Sequence, residues 1–118
     1  MRQPPSVDSF GAGGFRVSGV WRPGSLLILD DQARDWGPQD FAGLTVQDFA
    51  EVIAAGPAVS EFVLLGAGPV QAVPPPAIRT ALRDAGLGLE FMSTAKAASA
   101  YGVLTSQGRR VALALIAV

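Results

Sequence analysis

The fold of this chain is indicated most clearly by residues 61–86, EFVLLGAGPVQAVPPPAIRTALRDAG. The apolar run at residues 61–65 predicts a buried strand, and the glycines after it let the chain leave that strand sharply. Prolines then stand at a helix entry, Ile78 and Leu82 fall on one face, and Gly86 comes just past the last turn. The stretch therefore predicts one β-α unit, the building block of an α/β fold.

The same alternation continues toward the C-terminus and is also present upstream. Residues 87–92 predict a strand, and residues 109–118 predict a final buried strand. Between them, Ser93 or Thr94 can cap a helix, while Thr45 can cap an earlier one. Repeated β-α units with short connections imply neighbouring, mostly parallel strands with helices on the faces of the sheet.

The N-terminal side predicts a hairpin. Residues 14–20 and 25–30 are strand-like, and WRPG at residues 21–24 is a plausible turn between them. Residues 31–43 show no periodicity and predict a loop, and residues 1–13, rich in Pro and Gly, predict a flexible or extended arm. The predicted fold class is a single compact three-layer α/β domain, with this hairpin followed by alternating β-α units on a mixed, mostly parallel central sheet.

Composition limits both the domain count and the chemistry. The 118 residues suffice for one domain, predicted at residues 14–118, and 49% are hydrophobic. Because the chain has no cysteine and no histidine, disulfides, thiolate nucleophiles, Cys/His zinc sites and imidazole bases are excluded. No cofactor is expected. Nine basic and ten acidic side chains leave a net charge of −1, which argues against nucleic acid as the main ligand.

The predicted location follows from two segments. The N-terminal MRQPPSVDSF lacks the apolar core of a signal peptide, so no export is implied. The longest apolar run, residues 111–118, is far below the ~20 residues that a spanning helix needs. These features predict a cytoplasmic protein without a membrane span.

The glycines at the end of the strand raise the question of a phosphate-binding loop. A dinucleotide fingerprint needs a third glycine where Gln71 stands, and a helix N-terminus within the motif. Here prolines without N–H donors lie between Gly68 and the helix. Gly66 and Gly68 are therefore interpreted as a tight strand exit that could line a cleft with the neighbouring strand end.

The second candidate site is MSTAK, residues 92–96, at the carboxyl end of a predicted strand. Ser93, Thr94 and Lys96, together with the free amides of the helix N-terminus, could bind an anion or form a Ser–Lys pair. The simpler interpretation is that a hydroxyl caps the helix and that Lys96 is solvated. Tyr101 or Arg109 could lie near such a site.

Trp36 is the third candidate, because an exposed aromatic ring can anchor a partner protein. Core packing is an equally acceptable interpretation of this residue. The acidic residues around it show no recognisable metal-loop spacing, so surface solvation explains them more simply. Arg109 follows a predicted helix C-terminus, where it could neutralise the helix dipole.

The order and spacing of several segments resemble a known family. LLGAGP with its Pro-led helix, FMSTAKAASAYGVLTSQGRRVALALIAV, and the upstream GGFRVSG and PGSLLILD are similar to a small domain-of-unknown-function family. That family includes the mitochondrial complex I assembly factor of this type and the adipogenesis-associated Mth-type domain proteins. The resemblance implies a compact α/β domain with a mixed sheet, no established reaction and, in the mitochondrial branch, a role in assembling a membrane-bound respiratory complex.

The resemblance is incomplete along one helix and its entry. The positions that match the family pattern are Met92, Thr94, Ala97, Tyr101, Gly108 and Arg109. The positions that depart from it are Ser93, Ser99, Ala100, Gly102 and Gln107. These departures remove charged and amide groups, so if the family uses this surface for a charged ligand or partner, that use is expected to be lost or altered in this chain. Gly102 costs roughly 1 kcal/mol inside a helix, which a tight backbone contact could explain.

The leading hypothesis is a non-enzymatic binding or assembly-accessory protein for membrane complexes, acting through Trp36 and its surroundings. The alternative is a small-molecule or anion-binding enzyme with its site at residues 93–96. A pocket where Gly66, Gly68, Thr94 and Lys96 converge would favour the enzyme. A homodimer formed through an edge strand is also compatible with the sequence.

Overall fold

Eight strands and three α-helices make up the computed structural model, which describes residues 2–118. The strands are β1 Val7–Gly11, β2 Gly14–Val17, β3 Val20–Pro23, β4 Ser25–Leu29, β5 Gln32–Trp36, β6 Phe62–Gly66, β7 Gly88–Met92 and β8 Val111–Leu115. The helices are α1 Ala50–Ala55, which continues from a short 3-10 turn at Val46–Phe49, α2 Pro76–Asp84 and α3 Thr94–Ser106.

The strands form two sheets. Strands β1, β2 and β3 make a small antiparallel sheet, and the other five make the central sheet in the order β5-β4-β8-β6-β7. In the central sheet, β6 pairs parallel with β7 and β8, whereas β4 pairs antiparallel with β5 and β8. The predicted mixed sheet is confirmed, with parallel and antiparallel pairings present in equal number rather than a parallel majority.

The central sheet is covered on both faces, which gives the predicted three layers. One face packs against α1 and α2 through a core that includes Phe49, Ile78 and Leu82. The other face packs against α3 and β2 through Phe15 and Tyr101. All five residues of β4 and all five of β8 are buried, as expected for strands that are covered on both sides.

The N-terminal hairpin is present, but the prediction of where it turns is wrong. The turn is at Ser18 and Gly19, whose φ angles of 47° and 82° suit a tight connection between β2 and β3. WRPG, predicted as the turn, forms most of β3 instead, because Pro23 at the end of an edge strand needs no ladder donor. Consequently β4 pairs with β5 and β8, not with the strand before it.

The segment predicted as a loop, residues 31–43, contains strand β5. Asp30 and Asp31 have φ angles of 52° and 61°, so they form a two-residue turn that folds β5 back onto β4. Aspartate tolerates this left-handed conformation better than most residues because its short side chain can hydrogen-bond locally. The strand was missed because its sequence, QARDW, has one buried side chain only, at Trp36.

Residues predicted as an arm also contribute to a sheet. Residues 7–11 are extended, as the prediction allowed, and they pair with β2 as strand β1. The domain boundary at residue 13 stays a prediction.

The predicted helix boundaries agree with the structure. The backbone N–H of Thr45 donates to the Asp48 carboxylate at 2.8 Å, which caps the turn that precedes α1. Pro76 is the first residue of α2, where its missing N–H costs nothing. Ser93 caps α3, since its hydroxyl accepts a hydrogen bond from the backbone N–H of Lys96 at 3.3 Å.

Candidate functional site

The strand ends of β6 and β8 meet the start of α3 at a buried polar cluster. The hydroxyl of Thr94 donates to the carbonyl of Ile116 at 2.8 Å and accepts from the backbone N–H of Gly68 at 3.0 Å. The backbone N–H of Thr94 donates to the carbonyl of Gly68 at 2.9 Å. We call Gly66, Gly68, Thr94 and Ile116 the Thr94 junction. Thr94 is 0% exposed, so its hydroxyl is fully used within the protein.

Gly66 is part of this junction because there is no room for a side chain. A Cβ at Gly66 would lie 2.8 Å from the Cα of Thr94 and 2.6 Å from Cδ2 of Leu115. Glycine is therefore required by the close approach of two backbones and not by a ligand. The backbone N–H of Ile116 donates to the Gly66 carbonyl at 3.0 Å, which fixes the same contact.

Substitution Gly66→Ala is expected to lower the free energy of unfolding by about 2 kcal/mol, the usual scale of overpacking in a core. The new methyl group can displace the side chain of Leu115, but it also presses on the backbone of Thr94. Chemical denaturation monitored by tryptophan fluorescence measures the change. If Gly66→Ala is as stable as the wild type, the start of α3 can shift to make room for the methyl group. That result would contradict the close backbone contact of the Thr94 junction.

The N-terminus of α3 has few free donors for an anion. The backbone N–H of Thr94 binds Gly68, that of Lys96 binds the Ser93 hydroxyl, and that of Ala97 binds the Ser93 carbonyl. Within residues 2–118, the Ser93 hydroxyl makes no hydrogen bond to the Lys96 ammonium group, which is exposed. The arrangement is that of a capped helix, and an anion site or a Ser–Lys pair at this position stays a prediction.

Trp36 lies in the core. Its side chain is 7% exposed, its Nε1 donates to the carbonyl of Asp48 at 2.8 Å, and its ring meets that of Phe49 edge-on at 5.5 Å. A cavity of about 280 Å³ beside it is lined in part by Asp35 and Glu51, and both carboxylates pair with arginines. Trp36 therefore stabilises the contact between β5 and the 3-10 turn before α1, and the exposed tryptophan of the chain is Trp21, at 44%.

Tyr101 is buried on the opposite face of the sheet. It is 1% exposed, and its hydroxyl has no hydrogen-bond partner within the described chain. Burial raises the pKa of Tyr101 to about 12, with the charge of Asp31 acting in the same direction. Removal from water disfavours the phenolate, so the side chain remains neutral over the whole physiological range.

This shift predicts a loss of stability in alkali. The folded-state pKa of about 12 exceeds the unfolded value of ~10, so the Tyr101 contribution is complete below pH ~10 and is lost as the pH rises toward 12. The loss should amount to about 2–3 kcal/mol relative to Tyr101→Phe, which has no ionisable group. Denaturant unfolding of both proteins from pH ~8 to ~12 tests this. If the free energies of unfolding of the wild type and Tyr101→Phe differ by the same amount at every pH, the prediction is wrong.

Arg109 lies at the end of the central sheet opposite the Thr94 junction, where its side chain pairs with Glu61. Its Nε donates to the Glu61 carboxylate at 3.0 Å, and its guanidinium carbon lies 5.5 Å from the centre of the Phe62 ring. The backbone N–H of Arg110 and the side chain of Arg109 both lower the pKa of Glu61. The pair closes the start of β6 against the start of β8, so Arg109 has a local structural role.

The predicted site residues thus fall into separate regions. Trp36 belongs to the core on the α1–α2 face, and Tyr101 to the core on the α3 face. Arg109 is at the opposite end of β8 from Thr94. The Thr94 junction does not line the described cavities of about 100, 280 and 300 Å³. The carboxyl ends of β6 and β7 bring together Gly66, Gly68, Ser93, Thr94 and Lys96, and their use as a ligand or partner surface stays a prediction.

Sequence reasoning missed a groove beside α3. Residues 4–7 run past this helix, and the space between them measures about 300 Å³. Gly102 lies in the groove, and a Cβ built there would meet nothing within 4 Å. The expectation of a tight backbone contact at Gly102 is therefore wrong. The only signal in the sequence was the glycine itself, inside an otherwise regular helix.

Substitution Gly102→Ala is expected to raise the free energy of unfolding by about 1 kcal/mol, because alanine favours the helix and the space is vacant. The comparison is with Gly66→Ala, in which the added methyl group is in close contact with the backbone of Thr94. Thermal and chemical denaturation of both variants measures the two effects. A destabilised Gly102→Ala protein would mean that this part of α3 packs more closely than the structure shows.

Two further observations concern the residues that the structure describes. No group of three or more carboxylates in residues 2–118 is placed to hold a metal ion. Over the same residues, no helix combines the length and apolar character needed to cross a bilayer.

The fold and the site define a class of protein: a small three-layer α/β domain whose strand-end polar cluster is occupied by internal hydrogen bonds. A Mth938-like domain protein from Bordetella pertussis has the same fold, with a TM-score of 0.82 and 24% identity over 98% of this chain and 90% of that one. An outer membrane protein from Bartonella henselae superposes with a TM-score of 0.88 and 27% identity over 97% of this chain and 95% of that one. The fold is Mth938-like.

The chain belongs to the protein family of unknown function DUF498/DUF598, whose family model matches residues 7–116. An uncharacterized protein of Rhodobacter capsulatus is 37% identical over 110 residues, which cover 93% of this chain and 82% of the relative. Bovine NADH dehydrogenase (ubiquinone) 1 alpha subcomplex assembly factor 3 is 26% identical over 110 residues, covering 93% of this chain and 59% of that protein. The resemblance inferred from the sequence is confirmed.

Proposed function

We propose that this protein is a non-enzymatic binding or assembly-accessory domain for membrane complexes. The observation that carries the proposal is the similarity to the bovine assembly factor, which extends over 93% of this chain. The shared region spans 59% of that protein's length, so the proposal concerns the common domain. The lack of histidine and cysteine in the chain agrees with a binding role. A cytoplasmic location is part of the proposal.

The binding surface we favour is the exposed loop between β6 and α2. Val70 is 70% exposed and Val73 is 61% exposed, so both side chains of this loop face solvent. No charged residue occurs from residue 62 to residue 78, so the loop itself carries no charge. Exposed apolar side chains on a loop that a rigid strand positions are typical of contact sites with other proteins. This surface replaces Trp36, whose ring is buried.

The experiment is a pull-down from detergent-solubilised native membranes. The bait proteins are the wild type, the double variant Val70→Ser/Val73→Ser, and the control Val103→Ser, which makes the same change at a 57% exposed position on α3. We expect the wild type and the control to recover the same membrane-complex subunits and the double variant to lose them. Equal circular dichroism spectra and melting temperatures show that the variants are folded.

Absence of any reproducible membrane-complex partner would refute the assembly proposal. If all three baits recover the same partner, the assembly role is supported, but the loop between β6 and α2 is not its binding surface.

A homodimer that forms through an edge strand is also part of the proposal. Sedimentation velocity of the purified protein measures whether it forms. Trp36→Ala is unsuitable as a control, because loss of a buried tryptophan disturbs the fold itself.

A further inference from the structure

The groove between α3 and the N-terminal segment has the features of a ligand site. Its volume of about 300 Å³ is at the lower end of the range for small-molecule pockets, ~300–1,000 Å³. None of the side chains that line it carries a charge; they belong to residues 4–7 and to α3, including Tyr101, Gly102 and Thr105. A charged ligand would lose its hydration here without gaining a counter-ion, so the lining favours a neutral one.

Gly102 creates part of this space. A glycine inside a helix weakens it, and glycine is usually found there because a neighbour comes too close for a side chain. At Gly102 no atom outside the helix lies within 4 Å of the missing Cβ. Gly102 is exposed, so packing within the chain does not require the glycine, and the missing side chain leaves room in the groove.

Tyr101 contributes an unsatisfied hydrogen-bonding group. Tyr101 is among the residues that line the groove, and its hydroxyl is buried, lacks a partner in the described residues and lies within reach of the charges of Asp31 and Arg2. Buried polar groups are normally hydrogen-bonded, and each exception needs a reason. A ligand with one polar atom would satisfy this hydroxyl.

The N-terminal segment is hydrogen-bonded to the rest of the protein at its two ends only. The guanidinium of Arg2 holds one end, by hydrogen bonds to Asp31 at 3.0 Å and to the carbonyl of Gly108 at 3.3 Å. Ser6 holds the other end, by hydrogen bonds with Ser18. Between these anchors, residues 3–5 form no hydrogen bond to any part of the chain that the structure describes. The covering segment is therefore hydrogen-bonded at its ends and not in its middle, where Pro4 and Pro5 have no N–H donor and are half-buried.

We propose that this groove binds a small neutral amphiphile, of the class of a phenol or a medium-chain alcohol. The apolar body lies on Gly102 between α3 and residues 4–5, and the single polar atom hydrogen-bonds to the hydroxyl of Tyr101 when residues 3–5 shift outward. The proposal does not depend on an assembly role, because it concerns a separate surface from the loop between β6 and α2.

The test uses 1-hexanol as the probe and its anionic analogue hexanoate as the matched control. Titration of the ¹⁵N-labelled full chain, followed by NMR, should give saturable shifts for residues 98–106 and 3–7 with hexanol, at a Kd in the millimolar range or below. Gly102→Leu fills the groove and should weaken binding at least tenfold. Ser99→Leu places the same side chain on an exposed position of α3 outside the groove and should leave the Kd unchanged.

The Tyr101→Phe variant tests the hydroxyl. Loss of one neutral hydrogen bond should weaken hexanol binding about two- to tenfold. The proposal is overturned if hexanol produces no saturable shifts in the groove, or if Gly102→Leu binds it as the wild type does. Equal binding of hexanoate would refute a neutral ligand, and an unchanged Kd for Tyr101→Phe would refute the role of the hydroxyl.

Discussion

Replacement of Trp36 by alanine is expected to lower the free energy of unfolding by about 4 kcal/mol, within the range for truncation of a large buried aromatic side chain. Three contributions add up in this value. The ring is 7% exposed in a core with Phe49, its edge-to-face contact with Phe49 is lost, and the Asp48 carbonyl loses its donor at 2.8 Å. Urea unfolding followed by far-ultraviolet circular dichroism measures the change.

The matched control is Trp21→Ala, the same substitution at the tryptophan that is 44% exposed on β3. Its ring covers Gly14, with Cζ2 at 2.8 Å from the position that a Cβ would occupy, so a smaller loss of about 1 kcal/mol is expected. If the two variants lose equal stability, Trp36 is not the core residue that its burial indicates. A folded and stable Trp36→Ala protein would restore the sequence-based view of Trp36 as a contact residue.

Substitution Thr94→Val is expected to lower the free energy of unfolding by about 3 kcal/mol, although the shape of the side chain is nearly conserved. Valine fills the same volume but leaves the N–H of Gly68 and the carbonyl of Ile116 without their partner in a buried position. Each unsatisfied buried group costs about 1–3 kcal/mol. Guanidinium unfolding gives the change in the midpoint and in the m-value.

Thr80→Val is the control for Thr94→Val, because Thr80 is exposed on α2 and the change should stay within about 0.5 kcal/mol. Thr94→Ser retains the hydroxyl and should keep most of the stability. A Thr94→Ser protein as unstable as Thr94→Val would show that the methyl group, and not the hydroxyl, holds the junction. In that case the Thr94 hydroxyl would not be needed for stability, and a role in binding a ligand could be considered again.

The central part of the fold was predictable because its signals are strong. Residues 62–65 and 111–118 are continuous apolar runs, and both contain buried strands of the sheet centre. Proline at the start of α2 and serine before α3 marked their helix boundaries correctly. These features are local, so one sequence suffices to read them.

The missed strands have physical reasons that local patterns do not contain. Strand β5 is an edge strand with one buried residue, and its turn uses two aspartates with positive φ where a pattern search expects glycine or asparagine. In β3, Pro23 and the glycine after it are typical of a turn. However, the antiparallel hydrogen bonds between β2 and β3 hold these residues in an extended strand. Pairing between strands, which no short window of sequence contains, decided both cases.

The sequence predicted that Gly66, Gly68 and Thr94 would meet only on the condition that their strand ends are neighbours, and a ligand site there stays a prediction. The strand ends of β6 and β7 are neighbours, and Thr94 does meet Gly66 and Gly68 there. The residue types alone did not show that the Thr94 hydroxyl is spent on two backbone groups. For Trp36 the sequence left core and contact roles open, and the burial of its ring now assigns it to the core.

The position of β8 affects how the protein forms during synthesis. This strand follows the other described strands in the sequence but lies in the middle of the central sheet, between β4 and β6. Until residues 111–115 leave the ribosome, β4 and β6 each present an unpaired apolar edge, and neither half of the sheet can close. Folding therefore depends on contacts between distant parts of the chain, which makes it slow relative to helical proteins of this size. The unpaired edges of β4 and β6 make the incomplete sheet prone to aggregation until β8 is available.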